Sequence, residues 1–318
     1  MDSTFVVGID VGGQTSKLGV VDARGAVLAQ TVIRTDTYSE VEPYIAELAT
    51  AVKKIIKESG TEGKVRGIGV GAPNGNYYTG TIENAPNLLW GRQRVEFAKL
   101  LSEAMDGLPV ALTNDANAAA VGEMTYGAAR GMKNFIMITL GTGVGSGIVI
   151  NGEVVYGHDG FAGELGHTSA VRNNGRTCGC GKTGCLETYA SATGVARTAR
   201  EWLELTDEPS VLRSLDTIAS KDVYEAAKDG DKLALKIFEF TGKILGRSFA
   251  DFIAFSAPEA IVLFGGLARA KEFLLEPIEA AMNENLLPLW RNKVKIVFSQ
   301  LKESDAAILG ASALAWEL

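Results

Sequence analysis

Basic charge is in short supply in this chain. Its 318 residues carry 31 Lys and Arg against 38 Asp and Glu, a net charge of −7. Nucleic-acid-binding domains usually present a basic stripe or patch, so this balance argues against one. It leaves room for a small anionic ligand held by backbone donors. Long apolar runs are missing too. The interval between Lys133 and Glu153 is uncharged, but Gly141, Gly143, Gly145 and Gly147 interrupt it, which suits a loop between strands better than a membrane-spanning helix. Met1-Asp2-Ser3-Thr4 lacks the basic start of a secretory signal, and the apolar run behind it soon meets Asp10 and a glycine pair. No linker, charge block or low-complexity tract breaks the chain. The expectation is a cytoplasmic protein with neither a membrane nor a nucleic-acid partner. The length is large for one core and predicts two lobes.

Cysteine and histidine are scarce as well, with three and two residues, and this makes their placement informative. All three cysteines and one histidine fall in one window. It runs Gly163-Glu164-Leu165-Gly166-His167, then a short polar link, then Cys178-Gly179-Cys180-Gly181-Lys182-Thr183-Gly184-Cys185-Leu186-Glu187. Thiolate and imidazole are preferred Zn²⁺ ligands, and four of them close a tetrahedral structural site. A disulfide between Cys180 and Cys185 would strand the third thiol, and a reducing compartment favours metal over disulfide. The tight Cys-x-Cys start differs from the commoner finger spacing of two intervening residues. Glu164 and Glu187 flank the ligands, so a metal here would hold two carboxylates in place.

The remaining pattern is α/β. Phe5–Val11, Lys17–Asp22 and Ala26–Ile33 read as a three-stranded meander. A helix is predicted from about Ser39 to Gly60, with Ser39 and Glu42 as a capping box. Strands follow at Arg66–Ala72 and Val110–Thr113, with a loop over 73–90. A small-residue helix runs from Ala116 to about Gly127. Phe135–Leu140, the Gly141–Gly147 loop, Ile148–Ile150, an Asn151-Gly152 turn and Glu153–Tyr156 repeat the first meander. A long amphipathic helix over 233–253, strands at Ala260–Phe264 and Val294–Phe298, and a last helix capped by Ser304-Asp305 complete the pattern. Gly242 and Gly246 predict close helix packing.

Three segments invite a phosphate or a hydroxyl. In Asp10-Val11-Gly12-Gly13-Gln14-Thr15, bare glycines let backbone N–H groups approach a phosphate, and Asp10 can hold a Mg²⁺-bound water; a plain β-turn fits as well. The four alternating glycines of 141–147 fit a backbone that wraps a ligand. No Gly-Lys-Ser/Thr follows them, and a strand follows rather than a helix, so neither a Walker loop nor a dinucleotide fingerprint is present. Gly265-Gly266 is a third close-approach point. Asn114-Asp115, where a strand meets a helix, suits capping and also a carboxylate that takes a proton from an alcohol.

In order, Asp10-x-Gly12-Gly13, Asn87, Asn114-Asp115, Gly141–Gly147, Gly163-Glu164-x-Gly166-His167, the cysteine cluster with Glu187, and Gly265-Gly266 resemble the ROK family of bacterial sugar kinases, most of all its glucokinase branch. The resemblance implies an actin-like, hexokinase-type fold with two α/β lobes closing over a cleft. It places the small lobe at 1–115 and the large lobe at 116–303, with the helix of about 304–318 returning to the first. It implies ATP-dependent phosphorylation of the 6-hydroxyl of a hexose, glucose foremost, with N-acetylglucosamine, N-acetylmannosamine and fructose as rivals. Carried over, Asp115 is the general base. Asn87, Asn114, Glu164, His167 and Glu187 join it in binding the sugar. Asp10, Gly12, Gly13, Gln14, Thr142 and Gly143 serve Mg²⁺ and the phosphates, and Gly265 and Gly266 the adenosine side. His167, Cys178, Cys180 and Cys185 hold structural zinc, and a homodimer is implied. Repressor members carry an added N-terminal helix-turn-helix domain, for which a first strand at Phe5 leaves no room; a binding-only protein would predict loss of the base. Two positions depart from the family pattern. Gln14 stands where threonine is usual, which admits a different phosphoryl donor. Asn74 stands where glycine is usual, and a side chain there is expected to narrow the sugar pocket.

Overall fold

The computed structural model describes residues 4–318. The described residues form two sheets of five strands with the same plan. In the first, β1 (Phe5–Val11), β2 (Thr15–Asp22) and β3 (Val27–Arg34) make an antiparallel meander. Helix α1 (Val41–Glu58) carries the chain back, so that β4 (Val65–Gly71) pairs parallel with β1. The hairpin of β5 (Gly75–Asn76) and β6 (Thr81–Ile82) and helix α2 (Phe97–Ala104) precede β7 (Val110–Thr113), parallel to β4. The order is β3-β2-β1-β4-β7.

Helix α3 (Asp115–Tyr126) leads into the second unit. There β8 (Phe135–Leu140), β9 (Val144–Ile150) and β10 (Glu153–Val154) form the second meander. The chain then passes through α4 (Glu187–Ala190), α5 (Ala192–Leu205), α6 (Ser220–Lys228) and α7 (Lys232–Ser256). Strand β11 (Ala260–Phe264) pairs parallel with β8; after α8 (Lys271–Asn285), β12 (Lys295–Phe298) pairs parallel with β11. The order β10-β9-β8-β11-β12 repeats the first sheet, as the duplicated hairpin predicts. Helix α9 (Glu303–Leu314) packs on β1 and β4 and also on α3, which in turn packs on β8 and β9. The two small-residue helices are thus sandwiched between the sheets. The main cores flank this sandwich: one under α1, the other among α5 to α8, where Gly242 and Gly246 let α7 approach α8 at Pro277 and Ile278.

Local expectations are corrected at four points. Helix α1 starts at Val41 with Glu40 as its cap residue and no side-chain cap bond, so Ser39 and Glu42 form no capping box. With that start Pro43 is the third helical residue, and proline lacks the N–H that a capping oxygen would accept. Helix α9 starts at Glu303, which puts Ser304 and Asp305 inside the first turn rather than at the cap. The interval 73–109 holds a hairpin and α2, neither of which the apolar pattern announces. Strand β9 begins at Val144, so Gly145 and Gly147 belong to a strand and not to a loop. A Cβ on Gly147 would lie 2.8 Å from the Ala120 Cβ and 3.0 Å from the Ala116 carbonyl, so these glycines let α3 sit close on the sheet.

Candidate active site

The parallel strands of both sheets end at one place. Asp10 and Gly71 from the first sheet, Thr139 and Phe264 from the second, and Asp115 from α3 line a cavity of about 220 Å³. Ligands of open α/β sheets collect outside the carboxyl ends of parallel strands, so the topology alone marks this cleft.

Asp115 opens α3. The Asn114 Oδ1 accepts from the Asn117 N–H at 2.7 Å and caps the helix, and the Asp115 Oδ1 accepts from the Ala116 N–H at 2.8 Å. Asp115 lies deep in the molecule yet is exposed along the cleft. Its depth strips away much of its bulk hydration, which pushes its carboxyl above the usual range against the opposing pull of backbone N–H groups. Asp10 is pushed up to about 6, first by burial and then by the charge of Asp115, with Lys17 opposing.

Glu164 joins this group from the second unit. Burial raises its carboxyl, His167 opposes, and Asp115 and Glu187 both raise it further, so the four side chains share one electrostatic neighbourhood. Glu187 starts α4, and its Oε2 accepts from the Val144 N–H at 3.0 Å. A Cβ on Gly143 would collide with that carboxylate. Glu187, Asn87, Thr142 and Gly143 line a second cavity of about 450 Å³. The Asn87 backbone also packs against Gly13, where a Cβ would lie 2.8 Å from its carbonyl. The structure therefore brings Asp10, Gly13, Asn87, Asn114, Asp115, Thr142, Gly143, Glu164, His167 and Glu187 into one continuous region.

The other sequence-derived positions sit at its margins. Gly12 closes the β1–β2 turn by donating to the Thr15 carbonyl at 3.1 Å. The Gln14 side chain is exposed, while its carbonyl accepts from Thr35 N–H at 2.9 Å. Gly265, with φ of 104°, packs against Leu140 at the base of the Gly141 turn, and Gly266 has open space beside it. The Asn74 side chain is turned onto its own loop. The residue takes a left-handed φ of 52°, and its amide donates to the carbonyls of Glu83 and Asn84 at 3.0 and 2.9 Å. Asparagine is among the few residues that tolerate such a backbone.

His167, Cys178, Cys180 and Cys185 converge, with their ligand atoms all within 4.8 Å of one another. The Sγ atoms of Cys180 and Cys185 are 3.7 Å apart, as are the Cys178 Sγ and His167 Nδ1. Two thiolates bound to one Zn²⁺ at about 2.3 Å lie about 3.8 Å apart at the tetrahedral angle, so the donor set fits that ion. Cys178 and Cys185 are buried and burial raises both thiols, that of Cys185 to about 12; Cys180 is exposed, and the Lys182 N–H lowers it.

Two positioning residues escape sequence reasoning. Buried Arg176 donates to Glu201 at 2.5 Å, Thr198 at 2.9 Å and the Thr188 carbonyl at 2.9 Å, and its guanidinium lies 4.5 Å from the Tyr189 ring centre. It anchors the cysteine loop to α4 and α5. Buried Ser146 donates to the Gly163 carbonyl and accepts from the Leu165 N–H at 3.0 Å, bracketing Glu164. A lone Arg or Ser gives no local signal; their partners are 12 to 25 and 17 to 19 residues away respectively.

Comparison with known proteins agrees with this geometry. The pattern of the ROK family matches residues 6–317. The glucokinase of Halalkalibacterium halodurans is 38% identical over 315 residues, covering 98% of this chain and 94% of that one. A ROK family glucokinase from Streptomyces griseus, solved with glucose and AMPPNP, superposes with a TM-score of 0.80 at 33% identity, covering 99% and 100% of the two chains. A ROK family transcriptional regulator, a homologue of the E. coli MLC protein, superposes with a TM-score of 0.89 at 28% identity, covering 99% of this chain and 78% of its own. Strand order, cleft and sequence agree, and the chain belongs to the ROK family, with its actin-like, hexokinase-type fold.

Proposed function

We propose that this ROK-family sugar kinase transfers the γ-phosphoryl group of ATP to the 6-hydroxyl of glucose, with Asp115 as general base. The observation that carries the reading is the Asp115 carboxylate at the head of α3, open to the cleft, with Asp10 lining the same cavity and Glu164 and Glu187 in its electrostatic neighbourhood. A raised carboxyl suits a base, because proton transfer is most efficient when acceptor strength approaches what the alcohol requires. As the hydroxyl oxygen attacks phosphorus, its proton passes to Asp115 and the bond from phosphorus to the ADP oxygen breaks.

Asn87, Asn114, Glu164, His167 and Glu187 hold the sugar. The Asn114 Oδ1 is committed to the helix cap, so its share in sugar binding is the Nδ2 donor. Backbone N–H groups of Gly13, Thr142 and Gly143 serve the phosphates, with Gln14 and the turn that Gly12 closes beside them and Gly265 and Gly266 on the adenosine side. Asp10 is the residue suited to Mg²⁺, which neutralises developing phosphate charge when bound. Structural Zn²⁺ at His167, Cys178, Cys180 and Cys185 supplies rigidity. With Nδ1 turned to the cysteines, the His167 Nε2 is left for a sugar hydroxyl. The division into lobes at 115/116, a cytoplasmic setting and a homodimer belong to the same reading. No helix among the described residues is long and apolar enough to cross a membrane.

The test is ADP release with Mg-ATP against glucose, N-acetylglucosamine, N-acetylmannosamine, mannose and fructose. A preference for glucose is expected. Turnover of an acetamido sugar instead keeps the mechanism and changes the substrate, whereas silence on every sugar overturns the reading.

A further inference from the structure

We propose that the β5–β6 hairpin is a strap that sets the position of Glu164 relative to Asp115, with Asn76 and Tyr156 as positioning residues. The inference rests on the kinase reading for its activity readout and on contacts between distant segments for its substance.

Asn76 is 3% exposed, and both ends of its amide are engaged. The Nδ2 donates to the Asp159 carbonyl at 2.7 Å, across 83 residues of sequence, while the Oδ1 accepts from the Tyr78 N–H at 3.1 Å. Gly160 is the complementary half. It has φ of 91°, is buried, and a Cβ on it would strike the Asn76 amide. Beside this bond the Tyr77 ring stacks on Tyr156 with centres 4.1 Å apart and planes 3° apart. The hairpin of the first unit therefore grips the segment after β10 in the second at two adjacent points.

The hairpin and that segment together connect the two carboxylates. On one side the hairpin rests on Thr113, the last residue of β7, directly before Asn114 and Asp115: a Cβ on Gly75 would lie 2.4 Å from the Thr113 carbonyl. In the other direction the Ala162 N–H donates to the Tyr156 carbonyl at 3.0 Å and closes the loop, and Ser146 brackets Glu164 just beyond. A chain of contacts thus runs from Thr113 through the hairpin and Tyr156 to Glu164, and Asn76 fixes its middle. Glu164 holds the sugar in the kinase reading, so a shift in its register weakens the grip on a sugar held from both units and raises KM more than it lowers kcat.

Two variants test this. Asn76→Asp keeps the acceptor for Tyr78 but loses the donor to Asp159; Tyr156→Leu removes the ring stack on Tyr77. Each is expected to raise the hexose KM about tenfold while the ATP KM and kcat stay within about threefold, because sugar placement is altered and the chemistry is not. Amide hydrogen exchange of residues 157–165 without ligand is expected to quicken in Asn76→Asp, while that of 178–187 stays as in wild type. An unchanged hexose KM overturns the strap, with or without faster exchange. So does a parallel rise of both KM values that follows a lowered melting temperature, since a merely structural contact would do that. If the wild type turns over no hexose, the kinase reading fails separately, and unchanged exchange at 157–165 still overturns the strap.

Discussion

Asp10 and Asp115 line the same cavity, and the charge of Asp115 helps to push the Asp10 carboxyl up to about 6. One carboxylate ends a strand of the first sheet and the other begins the helix that leads to the second. Two acids so placed can divide the work: one faces a cation on the phosphates, the other faces the hydroxyl.

Asp115→Asn tests the second role. Asparagine retains an oxygen that can accept from the Ala116 N–H, and Asn114 remains the helix cap, so the fold is expected to persist. Loss of the base is expected to cut kcat by roughly 10²–10⁴ with little change in glucose KM. Steady-state kinetics with circular dichroism as a fold control would decide it. Near-normal turnover would remove Asp115 from the role of base.

The Asp10 environment makes a prediction about pH. Its carboxyl moves from an ordinary 3.8 to about 6 in the folded chain, chiefly through burial. Between about pH 4 and 6 the folded chain keeps a proton that the unfolded chain has released, so this group's contribution to stability falls as pH rises through that window. Asp10→Asn removes the effect. Measured in EDTA without nucleotide, the variant's melting temperature relative to wild type should rise from pH 4 to pH 7 and then level off. A flat difference would contradict the buried, unpaired state of Asp10.

Cys180→Ser tests the metal. Cys180 is the exposed ligand, so its loss disturbs packing least while breaking the donor set. Zinc measured by plasma mass spectrometry should fall well below one per chain. Hexose KM should rise, because Cys178 and His167 in the cluster adjoin Glu187 and Glu164. Full activity of zinc-free wild type would sink the structural role.

Much of this site can be read along the chain because its signals are local. The duplicated glycine-turned hairpin, the Cys-x-Cys window and Asn114-Asp115 each occupy a few consecutive residues. The rest depends on contacts that local patterns do not encode. Arg176 reaches Glu201 across 25 residues, and Asn76 reaches Asp159 across 83. Helix α2 is short and follows an irregular loop, so its apolar face gives few periods to count. The glycines of 141–147 show the opposite failure. Their spacing looks like one ligand loop, yet close packing by α3 accounts for two of them.

That division leads to a contrast within a single motif. Gly147→Val would press a side chain against Ala120 and the Ala116 carbonyl and lever α3, which carries Asp115, off β9. It is expected to destabilise the chain by about 1–3 kcal/mol, the usual cost of overpacking, and to lower kcat with it. Gly141 has nothing within 4 Å of where a Cβ would stand, so Gly141→Ala should leave stability within about 0.5 kcal/mol. If the turn from Gly141 to Gly143 faces phosphates, the same methyl group should raise the ATP KM several-fold while the glucose KM holds, since it projects into space that only a ligand fills. Urea denaturation and the two KM values separate the cases. Equal destabilisation by both variants would mean that all four glycines serve packing. A normal ATP KM in a stable Gly141→Ala would place the phosphates elsewhere along the cleft.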